Sequence, residues 1–167
     1  MQEHDILKQS PKTLLELHAK IVEELRRRDI LQSENTPAGD LAEYLFCKAL
    51  GWQRAAKVQK GYDATDSKGK RYQIKGRRIT PSNPLQQLSF IRGLDEDEFD
   101  KIAAVLFDKN YHVTRAALIP KNVIKDRSKF SKRGNGYIFI FRENIQHHYI
   151  PSVIDVTSQL QECWKHL

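Results

Sequence analysis

Four polar side chains in the first half of the sequence have types and spacing suited to metal-assisted chemistry on a phosphate. Asp63 precedes Gln73 by ten positions, and Lys75 lies two positions beyond Gln73. Carboxylate and amide oxygens bind hard divalent cations such as Mg²⁺, which polarise a phosphodiester and lower the pKa of a bound water. A lysine beside the cation can orient or deprotonate that water, or stabilise developing charge. Glu43 is the candidate for a second carboxylate.

A β-hairpin is the element that must position Asp63, Gln73 and Lys75. The segment 61–78, GYDATDSKGKRYQIKGRR, is typical of two strands around a three-residue turn with Gly69 in the left-handed conformation. This turn predicts a register in which Ala64 faces Tyr72 on an apolar face. A shift by one residue would mix apolar and polar side chains on each face, which burial disfavours.

The other face of this predicted hairpin carries the polar candidates. In the same register Asp63 faces Gln73, and Gly61 faces Lys75. Directly opposed side chains have Cβ atoms about 4.5–5.5 Å apart, so the Asp63 carboxylate and the Gln73 amide oxygen could share one cation. The alternative is a solvated hairpin face whose charged groups only form salt bridges.

Glu43 lies in a predicted helix that begins at Thr36-Pro37 and ends at Gly51. Between residues 41 and 50 its only charged residues are Glu43 and Lys48, so most of this helix is expected to be buried. A carboxylate there is costly unless a cation or a hydrogen-bond donor meets it. Either Glu43 has such a partner, or it lies at the solvated edge of the buried surface.

The remaining pattern predicts a single domain over residues 1–167 with an α/β fold and a mixed sheet covered on both faces. The predicted parts are N-terminal helices within 11–50, a hairpin core within 53–78, and later strands with a C-terminal helix within 100–167. The first helix begins at Ser10-Pro11. The later elements are strands at 101–108, 111–120 and 137–141, a short helix at 121–126 and an amphipathic helix over 153–167.

Charge distribution favours a nucleic-acid partner. The net charge is +7, and basic residues are concentrated in segments 57–78 and 121–133, whereas acidic residues cluster in 95–100. Such separation creates a positive surface that attracts polyanions. The alternative is an unevenly charged surface without a partner. Candidate phosphate contacts are Arg77, Arg78, Lys129, Lys132 and Arg133.

Several functional classes are disfavoured by what the sequence contains. It has no apolar run near the ~18 residues of a membrane span, so no membrane partner is expected. Its two cysteines show no metal-binding spacing, and both fall in apolar helical patterns. Neither a glycine-rich nucleotide loop nor a Ser or Cys nucleophile motif is present. Because no membrane span is predicted and two cysteines cannot make a disulfide framework, a cytoplasmic location is expected.

The order Glu43, then Gly-Tyr-Asp63, then Gln73-Ile74-Lys75 resembles the PD-(D/E)xK nuclease superfamily. The likeness is greatest to archaeal Holliday-junction resolvases and methylation-dependent type IV restriction domains, some of which use Gln-x-Lys. The resemblance implies a restriction endonuclease-like α/β/α core. It also implies that Glu43, Asp63, Gln73 and the Ile74 carbonyl bind Mg²⁺ or Mn²⁺, with Lys75 catalytic.

Two departures from the superfamily pattern bear on activity. Tyr62 replaces the proline of the superfamily name, and neutral Gln73 lowers the negative charge of the site, so metal binding should be weaker. The expected function is a metal-dependent DNA endonuclease in restriction, repair or mobile-element biology. The alternative is a non-catalytic nucleic-acid-binding protein that retains the fold. Many such nucleases cut as dimers, so a homodimer is compatible with the resemblance.

Overall fold

A computed structural model describes residues 3–56, 58–145 and 150–167. The helices are α1 (Glu3–Ile6), α2 (Pro11–Arg27), α3 (Pro37–Leu50), α4 (Lys121–Arg127) and α5 (Thr157–Lys165), with a 3₁₀ turn at Glu143–Ile145. The strands are β1 (Gln53–Arg54), β2 (Ala64–Thr65), β3 (Arg71–Arg78), β4 (Lys101–Phe107), β5 (Val113–Pro120), β6 (Lys129–Ser131), β7 (Gly136–Ile138) and β8 (Ile154–Asp155). None of the helices described is long and apolar enough to cross a bilayer.

The chain divides into two compact units, residues 1–34 and 35–167. The first unit contains α1 and α2. Helix α2 begins where the sequence predicts, because the Ser10 hydroxyl accepts a hydrogen bond from the Thr13 amide (3.1 Å) and Pro11 occupies the first turn. No residue of α2 is buried, and Leu15 is 70% exposed. Ile21 is 45% exposed, whereas Leu14, Leu17 and Leu25 are partly covered.

The second unit is built on a six-stranded mixed sheet with the order β1-β2-β3-β4-β5-β8. Strands β3 and β4 are parallel, and every other neighbouring pair is antiparallel. Residues 79–100 connect the two parallel strands. The expected α/β class with a mixed sheet is therefore confirmed.

Strand β4 forms the centre of the sheet. Its apolar run KIAAVLF is buried from residue 102 to residue 107, as expected for a strand covered on both faces. On one face, Ile102, Ala104 and Leu106 pack with a core that includes Val123 and Ile124 of α4. On the other face, α3 packs against β3, and α5 packs against both α3 and β5.

Two segments near the C-terminus differ from the sequence prediction. Residues 137–141 do not form a strand of the main sheet; β7 ends at Ile138 and pairs with β6, and Tyr137 and Ile140 form isolated bridges with Ile91 and Gln87. Phe139 and Phe141 are nevertheless fully buried, which explains why the segment has the hydrophobicity of a core strand. The C-terminal helix begins at Thr157 rather than at 153, because Ile154 and Asp155 pair with β5 as strand β8.

Candidate functional site

The hairpin turn and its first pairs agree with the sequence prediction. Gly69 has φ of +76°, and the Asp66 amide donates to the Lys70 carbonyl at 3.1 Å. Ala64 faces Tyr72 and Thr65 faces Arg71, as predicted. The strand that leads into the turn, β2, is only two residues long.

The strand pairing ends just before Asp63, where the structure departs from the predicted register. The Asp63 amide donates to the Tyr72 carbonyl (2.8 Å), and Asp63 Oδ2 accepts a hydrogen bond from the Ile74 amide (2.6 Å). A side-chain carboxylate thus replaces a backbone carbonyl as the partner of β3. Because the N–H and C=O of a strand residue point toward the same neighbouring strand, the Ile74 carbonyl faces the side on which Asp63 lies.

Gln73 supplies the most unusual atom of the site. Its side chain is 9% exposed, and Nε2 donates to the Gly61 carbonyl at 3.4 Å, a contact that the predicted register did not include. Within the described part of the chain, the buried Gln73 Oε1 has no hydrogen-bond partner. An unsatisfied buried acceptor costs about 1–3 kcal/mol, so this oxygen is positioned for a ligand that can accept its lone pairs.

Lys75 lies on the same face of β3 as Gln73, two residues further along, and is half-buried. Burial lowers the pKa of its ammonium group; the Asp63 and Glu43 charges oppose that shift, and Arg92 adds to it. A lysine with a lowered pKa releases or exchanges a proton more readily than an exposed lysine does.

Glu43 reaches this group from α3. Its Oε2 accepts a hydrogen bond from Arg54 Nε at 2.9 Å, while Arg54 Nη2 donates to the Asp40 carbonyl at 3.2 Å. Burial raises the pKa of Glu43, the Asp63 charge raises it further, and Arg54 opposes both. The partly buried carboxylate therefore has a cationic partner, which was one of the two alternatives that the sequence left open.

Asp63 has the same electrostatic character as Glu43. Burial raises the pKa of its carboxyl group, whereas the Ile74 amide, Lys75 and Arg54 oppose the shift. The two carboxylates, Lys75 and Arg54 consequently form one coupled group at the edge of β3. Coupled, partly buried ionisable groups of this kind are enriched at functional sites.

Aromatic stacking fixes the end of α3 against the hairpin. The Trp52 ring stacks on the Tyr72 ring with centroids 3.8 Å apart, and on the Phe46 ring with centroids 5.7 Å apart. Helix α3 ends at Leu50 and is followed by Gly51 in the left-handed conformation (φ +67°), as the sequence predicted. The stack connects α3 to β3 and so holds Glu43 near the strand that carries Gln73 and Lys75.

The donor set for a cation is mixed rather than purely acidic. In residues 3–56, 58–145 and 150–167, no three His, Cys, Asp or Glu side chains lie together as a metal-binding group. A divalent ion at this position would need the Gln73 amide oxygen and the Ile74 carbonyl in addition to Asp63. The buried, unpartnered Gln73 Oε1 fits that requirement, whereas Glu43 would have to leave Arg54 to join.

The predicted phosphate contacts Arg77 and Arg78 are held by other parts of the protein. Arg77 donates to the Asn83 side-chain oxygen at 2.7 Å and to the Leu85 carbonyl at 3.3 Å. Arg78 donates to the Lys109 carbonyl at 2.9 Å, and its guanidinium lies 4.4 Å from the Tyr111 ring centroid. Both arginines line a cleft of about 590 Å³ that also includes the first residues of α3.

The other predicted contacts belong to the small β6–β7 hairpin. Lys129, Lys132 and Arg133 are all exposed there. Lys129 lines a second cleft, of about 400 Å³, together with Arg127 and Arg142. Of the basic segment 57–78, Lys57 lies outside the described residues. The structure thus places the candidate basic residues in two groups, one on β3 and one on β6–β7.

No protein-family model matches this chain, and no curated protein matches its sequence.

Proposed function

We propose that this protein is a metal-dependent DNA endonuclease with a restriction endonuclease-like fold. The observation that carries the proposal is the buried Gln73 Oε1, which has no hydrogen-bond partner among the described residues and lies on the face of β3 that carries Lys75. The Lys75 ammonium group interacts electrostatically with Asp63. A salt-bridged hairpin face does not need such an atom, since an amide oxygen at an exposed edge would bind water. The mixed α/β sheet and the order of its elements support the same reading.

The residues of the site have distinct proposed roles. Asp63, Gln73 and the Ile74 carbonyl would hold Mg²⁺ or Mn²⁺, with Glu43 as a further candidate ligand. The ion would supply Lewis-acid polarisation of the scissile phosphate and a more acidic water. The Ile74 amide keeps the Asp63 carboxylate in place, so the site is organised before any ligand arrives.

Lys75 is the proposed catalytic residue. Its ammonium group lies on the face of β3 that carries Gln73, and burial among polar neighbours lowers its pKa. In the protonated form it stabilises negative charge on a phosphate oxygen; in the neutral form it accepts a proton from the attacking water. Arg77, on the same face, would contact the DNA backbone, as would Arg78 and the basic residues of β6–β7.

A second candidate function is DNA binding without cleavage. Two observations favour it: Gln73 brings no charge to the site, and Glu43 is already paired with Arg54. Both reduce the negative charge available to a cation. With a weak metal site, the protein would bind DNA through its basic surface without cleaving it.

Calorimetry with Mn²⁺ on the wild type and on Gln73→Glu tests the metal site. Because Gln73→Glu adds a carboxylate at the proposed ligand position, we expect tighter Mn²⁺ binding than in the wild type. Gln159→Glu, which makes the same change at an exposed position of α5, is the control and should leave the affinity unchanged. Equal affinities for all three proteins would remove Gln73 from the metal site.

A plasmid-nicking assay with Mg²⁺ or Mn²⁺, against EDTA, separates the two functions. Wild-type protein should nick DNA only with the metal, and Lys75→Ala should lose this activity while retaining its fold and its DNA affinity. Metal-independent DNA binding with no nicking by the wild type would favour the non-catalytic function instead.

A further inference from the structure

Arg54 interacts electrostatically with both carboxylates of the proposed metal site. Its backbone is fixed from one side, because Arg54 pairs with Ala64 in the sheet and the next amide, that of Ala55, donates to the Asp63 carbonyl at 2.8 Å. Its side chain is fixed from the other side by Glu43 and by the Asp40 carbonyl. Both anchor residues lie on one face of α3, one turn apart.

The contact of Arg54 with Glu43 is well shielded from solvent. The Arg54 side chain is 17% exposed and that of Glu43 is 28% exposed, whereas most ion pairs described on this protein include a partner that is far more exposed. Shielding strengthens an ion pair relative to a surface one and makes its loss more costly. Glu43 is therefore not a freely available ligand.

We infer that Arg54 competes with the divalent ion for Glu43 and so sets the metal affinity of the site. This inference depends on the proposed function, because it assumes that a divalent ion binds next to Asp63. With Arg54 in place, the ion is held by Asp63, Gln73 and Ile74, and Glu43 neutralises the guanidinium. Removal of Arg54 releases Glu43 as an additional anionic ligand of the ion.

The size of the effect follows from the bond that must be broken. A hydrogen bond to a charged group corresponds to a factor of about ten to a hundred in an equilibrium constant. We therefore expect Arg54→Gln to bind Mn²⁺ at least about tenfold more tightly than the wild type. Gln retains a donor toward Glu43 and Asp40 but has no charge. Arg54→Ala removes the charge and the donor together. It provides a second test in case the Gln side chain still holds Glu43 in place.

The control and the double mutant separate this mechanism from a general charge effect. Arg115→Gln removes another shielded guanidinium, 12% exposed and paired with Glu143, and should leave Mn²⁺ affinity unchanged. If the gain acts through Glu43, then Glu43→Gln combined with Arg54→Gln should abolish it. Calorimetric affinity is the readout, and the increase in melting temperature on addition of Mn²⁺ is an independent measure.

Each outcome has a defined meaning. Mn²⁺ binding to the wild type without a gain in either Arg54 variant would refute the competition and leave the proposed metal site intact. A gain that persists in the double mutant would also refute it, because the effect would then not require Glu43. Absence of Mn²⁺ binding in every variant would refute the metal site itself and, with it, this inference.

Discussion

The close approach of α3 to β3 at Gly76 provides the sharpest test of how the helix is positioned. A Cβ atom built on Gly76 would lie 2.8 Å from Ala42 Cβ and closer still to the Ala38 carbonyl oxygen. Ordinary contacts between carbon atoms are about 3.5–4.0 Å, so Gly76→Ala must move α3 away from β3 by roughly 0.7 Å or more.

The free-energy cost of Gly76→Ala can be estimated from that displacement. Overpacking costs about 1–3 kcal/mol, and the upper part of this range applies because one of the contacted groups is a backbone carbonyl. We expect a loss of about 2–3 kcal/mol in the free energy of unfolding, or roughly 4–12 °C in melting temperature. Glu43 directly follows Ala42, so its contact with Arg54 should also loosen.

Gly39→Ala is the matched control for this prediction. Gly39 lies in the same helix, and a Cβ built there has no neighbour within 4 Å among the described residues. Alanine is favoured over glycine in helices by about 0.5–1 kcal/mol, so Gly39→Ala should be neutral or stabilising. Thermal unfolding of the two variants, followed by circular dichroism, should give opposite signs. Equal and small effects would refute the close packing of α3 on β3 at Gly76.

Two further predictions concern pH and salt. Mn²⁺ affinity should increase as the pH rises through the raised pKa of Asp63, because burial raises the pKa of that carboxyl group and protons compete with the ion above the ordinary carboxyl range. Calorimetry at several pH values checks this, and a flat profile would exclude Asp63 as a ligand. Replacing Arg77 and Arg78 together by Ala should weaken binding to all DNA sequences alike and lower the slope of log K against log[salt] by about 1.8. Fluorescence anisotropy at several salt concentrations measures that slope; a slope that changes only in a Lys132→Ala, Arg133→Ala double variant would assign the phosphate contacts to β6–β7.

Local patterns predicted much of this fold. The continuous apolar run of β4 and the left-handed Gly69 each depend on a few adjacent residues, and both were confirmed. The ends of α3 were predicted equally well, because Pro37 and Gly51 favour a helix start and a helix end by their own backbone preferences.

The details of the site could not be predicted from local sequence patterns. The departure from register at Asp63 occurs because a carboxylate replaces a backbone acceptor, and alternation of apolar residues carries no information on such a replacement. The pairing of Glu43 with Arg54 joins a helix to a two-residue strand that follows it after a turn. Phe139 was assigned to a strand because burial alone does not distinguish a strand from an irregular segment packed into the core.

The two edge strands of the main sheet affect how this protein can associate with other chains. Strands β1 and β8 form its edges, and each is only two residues long. An edge strand templates the addition of another chain through its row of unpaired N–H and C=O groups, and such short edges present few of them. Continuation of this sheet into a second molecule is thus disfavoured, which protects the apolar central strands from edge-to-edge aggregation.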